Sequence, residues 1–110
     1  MRTVDTEIES RALAAVKVLS GLGVVREAYL FGSHVEGTPD RWSDIDVGIF
    51  MEGVEDWDIH QRAEAMALVM ERVGSDVEAH LFPVSSLDNP PQGGFAEYIL
   101  RHGIRIFEQQ

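Results

Sequence analysis

The chain has 110 residues, 45% hydrophobic and 25% charged, an ordinary globular composition that argues against disorder. Nineteen acidic against nine basic side chains leave a formal net charge of -10, which argues against a basic stripe for docking a DNA duplex. The absence of cysteine removes disulfides, thiolate metal sites and cysteine nucleophiles. No run approaches the ~18 consecutive apolar residues of a membrane span, and the opening "MRTVDTEIES" lacks the apolar core of a signal peptide, so a cytoplasmic protein is expected.

In chain order, a helix is expected from about Asp5 to Ser20. Thr6 and Glu9 have capping-box spacing, Ile8, Ala12, Ala15 and Leu19 share one face, and Gly21 and Gly23 end it. Residues 25–31, "VREAYLF", read as a partly buried strand. The loop "GSHVEGTPDRWS" leads to a second strand, Asp44 to Phe50, with Ile45, Val47 and Ile49 on one face and Asp44, Asp46 and Gly48 on the other.

A second helix is predicted over roughly Asp56 to Val73, its buried stripe formed by Ile59, Ala63, Met66, Met70 and Val73, with Asp56 and Asp58 in the first turn. The third strand, "SDVEAHLF", alternates Val77, Ala79 and Leu81 with Asp76, Glu78 and His80. After "DNPPQGG" come a short helix, "FAEYILRHG", and a last strand, "IRIFE". No linker or repeat divides the chain, so residues 1–110 are read as one domain. Its class is α+β (a two-layer α/β arrangement), a small mixed sheet with helices packed on one face.

The chemistry centres on "LFGSHVEGTPDRWSDIDVGIF", residues 30–50. Residues i and i+2 of a strand point the same way with Cα atoms ~6.6 Å apart, so Asp44 and Asp46 can converge on one point. Two carboxylates ~4 Å apart repel by roughly 4 kcal/mol at an effective dielectric near 20. A proton or a cation must relieve that repulsion. Magnesium suits paired carboxylates with substrate phosphates. A third carboxylate on the neighbouring strand would complete the site: Glu78 is the better candidate and Asp76 the alternative. Gly32-Ser33, where the first strand ends, permits close backbone approach to phosphate and adds a hydroxyl donor. The four histidines, at 34, 60, 80 and 102, lack metal-ligand spacing, so no zinc site is expected. His80 lies on the carboxylate face and is read either as orienting Glu78 or a substrate or, equally, as a satisfied structural histidine. Trp42 is read as loop packing and Trp57 as core or partner contact.

Gly32-Ser33, ten residues (34–43), then Asp44-Ile45-Asp46 resembles the signature of the nucleotidyltransferase superfamily related to DNA polymerase β. The short chain resembles its minimal nucleotidyltransferases, and "VEAHLFP" resembles their third-carboxylate strand. That resemblance implies that Gly32 and Ser33 hold an ATP or other NTP triphosphate, with Arg41 and Ser43 as further nucleotide contacts. It implies two Mg2+ ions bound by Asp44, Asp46 and Glu78, with Glu78 as base. Members of this branch are often encoded beside a small helical HEPN-domain partner, and some act as antitoxins by transferring AMP to a tyrosine of that toxin. Self-association into a homo-oligomer is a further option. Two departures stand out: His34 and Glu36 occupy positions where relatives often carry arginine, and the third carboxylate is glutamate rather than aspartate. The competing readings are a non-catalytic nucleotide-binding cap on a HEPN protein and a purely structural interaction domain.

Overall fold

The computed structural model describes residues 5–36 and 44–109. Helix α1 (Thr6–Ser20) begins one residue earlier than a Thr6 cap would allow. Asp5 is the N-cap, its carboxylate accepting from the backbone N–H of Glu7 at 2.8 Å and of Ile8 at 3.3 Å. Ala12, Ala15, Val16 and Leu19 are buried on its inner face and Ile8 packs beside them, as the helical spacing predicts.

Four strands form one mixed sheet in the order β3-β2-β1-β4. β1 (Val25–Phe31) lies antiparallel to both β2 (Ile45–Met51) and β4 (Ile104–Glu108), whereas β2 and β3 (Val77–Pro83) are parallel. Parallel neighbours need a crossover, which α3 (Ile59–Arg72) supplies. Among the described residues no helix is long and apolar enough to cross a membrane.

The expected α+β class and mixed sheet are observed. The layering differs in one respect. α1 and α3 cover one face of the sheet, burying Ala28, Leu30, Ile45, Val47, Ile49, Val69, Val77 and Ala79. Helix α5 (Phe95–His102) packs on the opposite face, where Ala96 and Ile99 meet Phe31 and Phe50. Gly48 makes room for it: a Cβ there would lie 3.0 Å from Ile99 Cγ2 and 3.2 Å from Ile99 Cδ1. Two four-residue helices, α2 (Ser33–Glu36) and α4 (Ser85–Asp88), fill connections read from sequence as loops.

Helix α3 starts later and faces differently than the sequence suggests. Residues Val54–Asp56 form a 3-10 turn, and Asp58 caps the helix through a reciprocal capping box with Gln61. Its buried residues are Ala65 and Val69, whereas Ile59 is 77% exposed and Met66 is also exposed. The reason lies in Arg62, which donates to the carbonyls of Val54 at 2.8 Å and Leu81 at 3.4 Å. Those bonds turn residue 62, and with it 65 and 69, toward the sheet. A cavity of about 390 Å3 beside α3, lined by Leu22, Trp57, Gln61, Glu64, Ala65 and Leu68, contains none of the sequence-predicted site residues.

The phase of α3 can be tested by denaturation. Val69→Ala removes two buried methyl groups and should cost about 2 kcal/mol or somewhat more. Ile59→Ala should change stability by no more than about 0.5 kcal/mol. The opposite ranking in urea melts would restore the stripe through Ile59 as the buried face.

Candidate metal and nucleotide site

Two rows of residues cross the α5-side face of the sheet. Cross-strand register aligns Phe31 with Asp46 and Asp46 with Glu78, and the next row aligns Tyr29, Gly48 and His80. Side chains on neighbouring strands ~4.8 Å apart can touch within a row. The pairing of β1 with β2 therefore brings Gly32, one residue past Phe31, back over Asp46 despite the long intervening loop. Gly32 has φ +86°, a left-handed value that favours glycine, and a Cβ there would stand 2.6 Å from Asp46 Oδ2. Glycine is thus required both for the turn and for the room that the Asp46 carboxylate occupies.

Asp46, Glu78 and His80 form the tightest donor group. One ligand atom from each lies within 4.8 Å of the other two, and all three residues are half-buried. His80 Nε2 is 3.3 Å from Asp46 Oδ1 and 3.8 Å from Glu78 Oε2. The imidazole is flanked by Phe31 (ring centroids 5.2 Å apart) and Phe95 (5.3 Å), both in edge-on geometry. Burial pushes the Glu78 carboxyl above its ordinary value; its hydrogen bond to Asp46 and the charges of Asp46 and Asp44 push the same way, against His80.

The sequence-predicted residues separate into three groups. Gly32, Asp46 and Glu78 converge, and Ser33 follows Gly32 at the start of α2. Asp44 is exposed just before β2, outside the tight donor group but near enough for its charge to act on Glu78. Arg41 and Ser43, with Trp42, lie outside the described residues. Asp76 is elsewhere: it precedes β3 and binds Arg11 of α1 through Nη1–Oδ2 (2.8 Å) and Nη2–Oδ1 (2.5 Å). That pairing holds the Asp76 carboxyl below its usual range. His80, which the sequence places on the carboxylate face two residues after Glu78, stands close to both carboxylates, nearer to Asp46 than to Glu78.

The family profile described as polymerase beta, nucleotidyltransferase matches residues 15–110. The chain belongs to that family. No curated protein sequence matches it. Among solved structures it is similar to a Sulfolobus solfataricus protein classed as a nucleotidyltransferase (19% identity, TM-score 0.60, 94% of this chain and 86% of that one). It is also similar to a chain of a toxin–antitoxin complex with AMP-PNP (20% identity, TM-score 0.59, 93% of this chain and 74% of that one). At these identities the likeness is one of fold.

Proteins of this family generally use divalent metals. The residues fit such an ion: two carboxylates and an imidazole converge, and the absence of a side chain at Gly32 gives the Asp46 carboxylate its room.

Two measurements probe this geometry. Gly32→Ala should cost of order 1–3 kcal/mol for the positive φ, with the clash against Asp46 added. In an Asp46→Ala background that added part should vanish, which a double-mutant cycle in urea detects as coupling. For Glu78 the sign follows from its raised pKa. The neutral carboxyl favours the fold below the ordinary 4.5, and that contribution is lost as pH rises through the raised folded value. In chelator-containing buffer at pH 7, Glu78→Gln should therefore be more stable than wild type, the gap closing as pH falls toward 4.5. A gap independent of pH would contradict the assignment.

Proposed function

We propose that this protein is a metal-dependent nucleotidyltransferase that transfers a nucleoside monophosphate, in the first instance AMP from ATP, to a hydroxyl on a partner protein. The observation that carries the reading is the Gly32 turn lying against Asp46 with Glu78 in register beside it. Gly32 and Ser33 would hold the triphosphate, the glycine by close backbone approach and the serine through its hydroxyl. Arg41 and Ser43 are the further nucleotide contacts in this reading. Asp44, Asp46 and Glu78 would hold divalent cations, Mg2+ being the ion that carboxylates and phosphates favour by themselves. Bound there, the cations would neutralise charge on the α-phosphate and the pyrophosphate.

The acceptor oxygen attacks the α-phosphorus, the bond to the bridging oxygen breaks, and pyrophosphate leaves. Glu78 takes the hydroxyl proton. A carboxylate placed beside the reacting hydroxyl can serve as general base. Most of the acceleration then comes from alignment and charge neutralisation.

Support for a protein-borne acceptor comes from the segment 95–107. Phe95, in ring contact with His80, is 48% exposed, and Tyr98 is 39% exposed. A fold neighbour comes from a toxin–antitoxin complex with AMP-PNP, which supports a toxin partner; the HEPN-type tyrosine acceptor rests on the sequence resemblance. A second reading is a nucleotide-binding cap without transfer, favoured by His34 and Glu36 in the loop where relatives often carry arginine.

Incubation with α-labelled ATP, a divalent cation and a small helical HEPN-type candidate partner should give label on the partner. Asp44→Asn/Asp46→Asn should lower it about 100-fold or more. Transfer that survives the double substitution would remove the enzymatic reading. Metal-dependent ATP binding without transfer would favour the cap.

A further inference from the structure

We propose that His80 is a direct ligand of the cation held by Asp46 and Glu78. The site is then a mixed nitrogen–oxygen one that takes a first-row transition ion such as Mn2+ or Co2+ in preference to Mg2+. The proposal rests on the metal-binding reading of this site and adds a ligand to it.

Geometry comes first. Donor atoms bound to one ion at about 2.0–2.3 Å lie roughly 3–4.5 Å from one another. The separations of His80 Nε2 from Asp46 Oδ1 (3.3 Å) and Glu78 Oε2 (3.8 Å) fall in that range, and each of the three residues offers an atom within 4.8 Å of the others. An ion can enter the centre of the group with little rearrangement of the chain.

The setting of the ring is the second observation. His80 is paired across the sheet with Gly48, which has no side chain, so the imidazole can lean toward Asp46 in the adjacent row. Phe31 and Phe95 contact the ring and restrict its rotation, with interplanar angles of 60° and 83°. Phe31 and Phe95 also contact each other edge-on at 5.4 Å, closing the aromatic side of the cluster. A ring held in this way presents Nε2 to the carboxylates with little rotamer entropy left to lose on binding.

The chemistry of the donors then sets the ion. Mg2+ favours hard oxygen ligands and gives up water reluctantly, whereas imidazole suits first-row transition ions. An exposed Asp44 outside the tight group leaves the nitrogen as the third protein donor to the first ion. The competing explanation is a simple hydrogen bond in which His80 orients Asp46 and never meets the ion.

Pulsed electron paramagnetic resonance on the purified chain loaded with Mn2+ separates these two. Direct ligation predicts nitrogen modulation of the Mn2+ signal, lost in His80→Gln, with binding itself lost in Asp46→Asn. Calorimetric competition should give a Mn2+ over Mg2+ preference of about tenfold or more in wild type, falling toward unity in His80→Asp, where an oxygen donor replaces nitrogen. Absence of nitrogen modulation, its persistence in His80→Gln, or a Mn2+/Mg2+ ratio unchanged in both variants would overturn the proposal. Neither measurement uses ATP. Nitrogen modulation without nucleotidyl transfer would leave the ligand assignment standing and remove the reaction; transfer without modulation would do the reverse.

Discussion

The register of β2 between its two neighbours is the constraint on which the rest depends. Antiparallel pairing sets Phe31 against Asp46, and parallel pairing sets Asp46 against Glu78. A slip of one residue in either ladder would send Asp46 into the apolar layer under α1 and α3. That layer resists the slip, because Ile45, Val47 and Ile49 are fully buried there. Burial of one face of β2 thus fixes the carboxylate on the other to within hydrogen-bonding precision. The apolar alternation that makes the strand also makes the site.

The same face serves packing and chemistry, and Phe31 belongs to both. With Ile99 and Phe50 it forms a small second core under α5. In register with Asp46, it also contacts the ring of His80, which with Asp46 and Glu78 makes up the half-buried donor group. Without a side chain at 48, α5 approaches the sheet closely, and its first residue, Phe95, reaches the His80 ring. Burial is also the leading cause of the elevated Glu78 pKa, with the neighbouring Asp46 and Asp44 adding to it.

Much of this was legible in the sequence. The alternation in "DIDVGIF" and "VEAHLFP" predicts both faces of β2 and β3, and the spacing of Ile8, Ala12, Ala15 and Leu19 predicts the buried face of α1. Helix α3 was not legible because apolar residues surround it. Ile59, Ala63, Met66 and Met70 make one plausible stripe, while Ala65, Leu68 and Val69 make another. Periodicity cannot rank two such stripes. The choice is tertiary: Arg62 bonds carbonyls at Val54 and Leu81 that are distant in sequence or lie across a 3-10 turn. An arginine facing inward to satisfy backbone carbonyls is invisible to a pattern that counts charge as solvent-facing.

The third carboxylate posed the same difficulty on a smaller scale. Asp76 and Glu78 share a parity, so strand alternation alone assigns both to one face. Parity holds only within a strand, and β3 begins at Val77. Asp76 lies in the turn before it, where its backbone carbonyl accepts from Ile45 N–H at 2.7 Å while its side chain meets Arg11 of α1. The ion pair therefore has a positional consequence beyond any stability it adds at a half-exposed surface. It ties α1 to the entrance of β3 and turns one acidic side chain toward α1. Glu78 is left as the carboxylate opposite Asp46, and it shares that space with an imidazole rather than with a third acid.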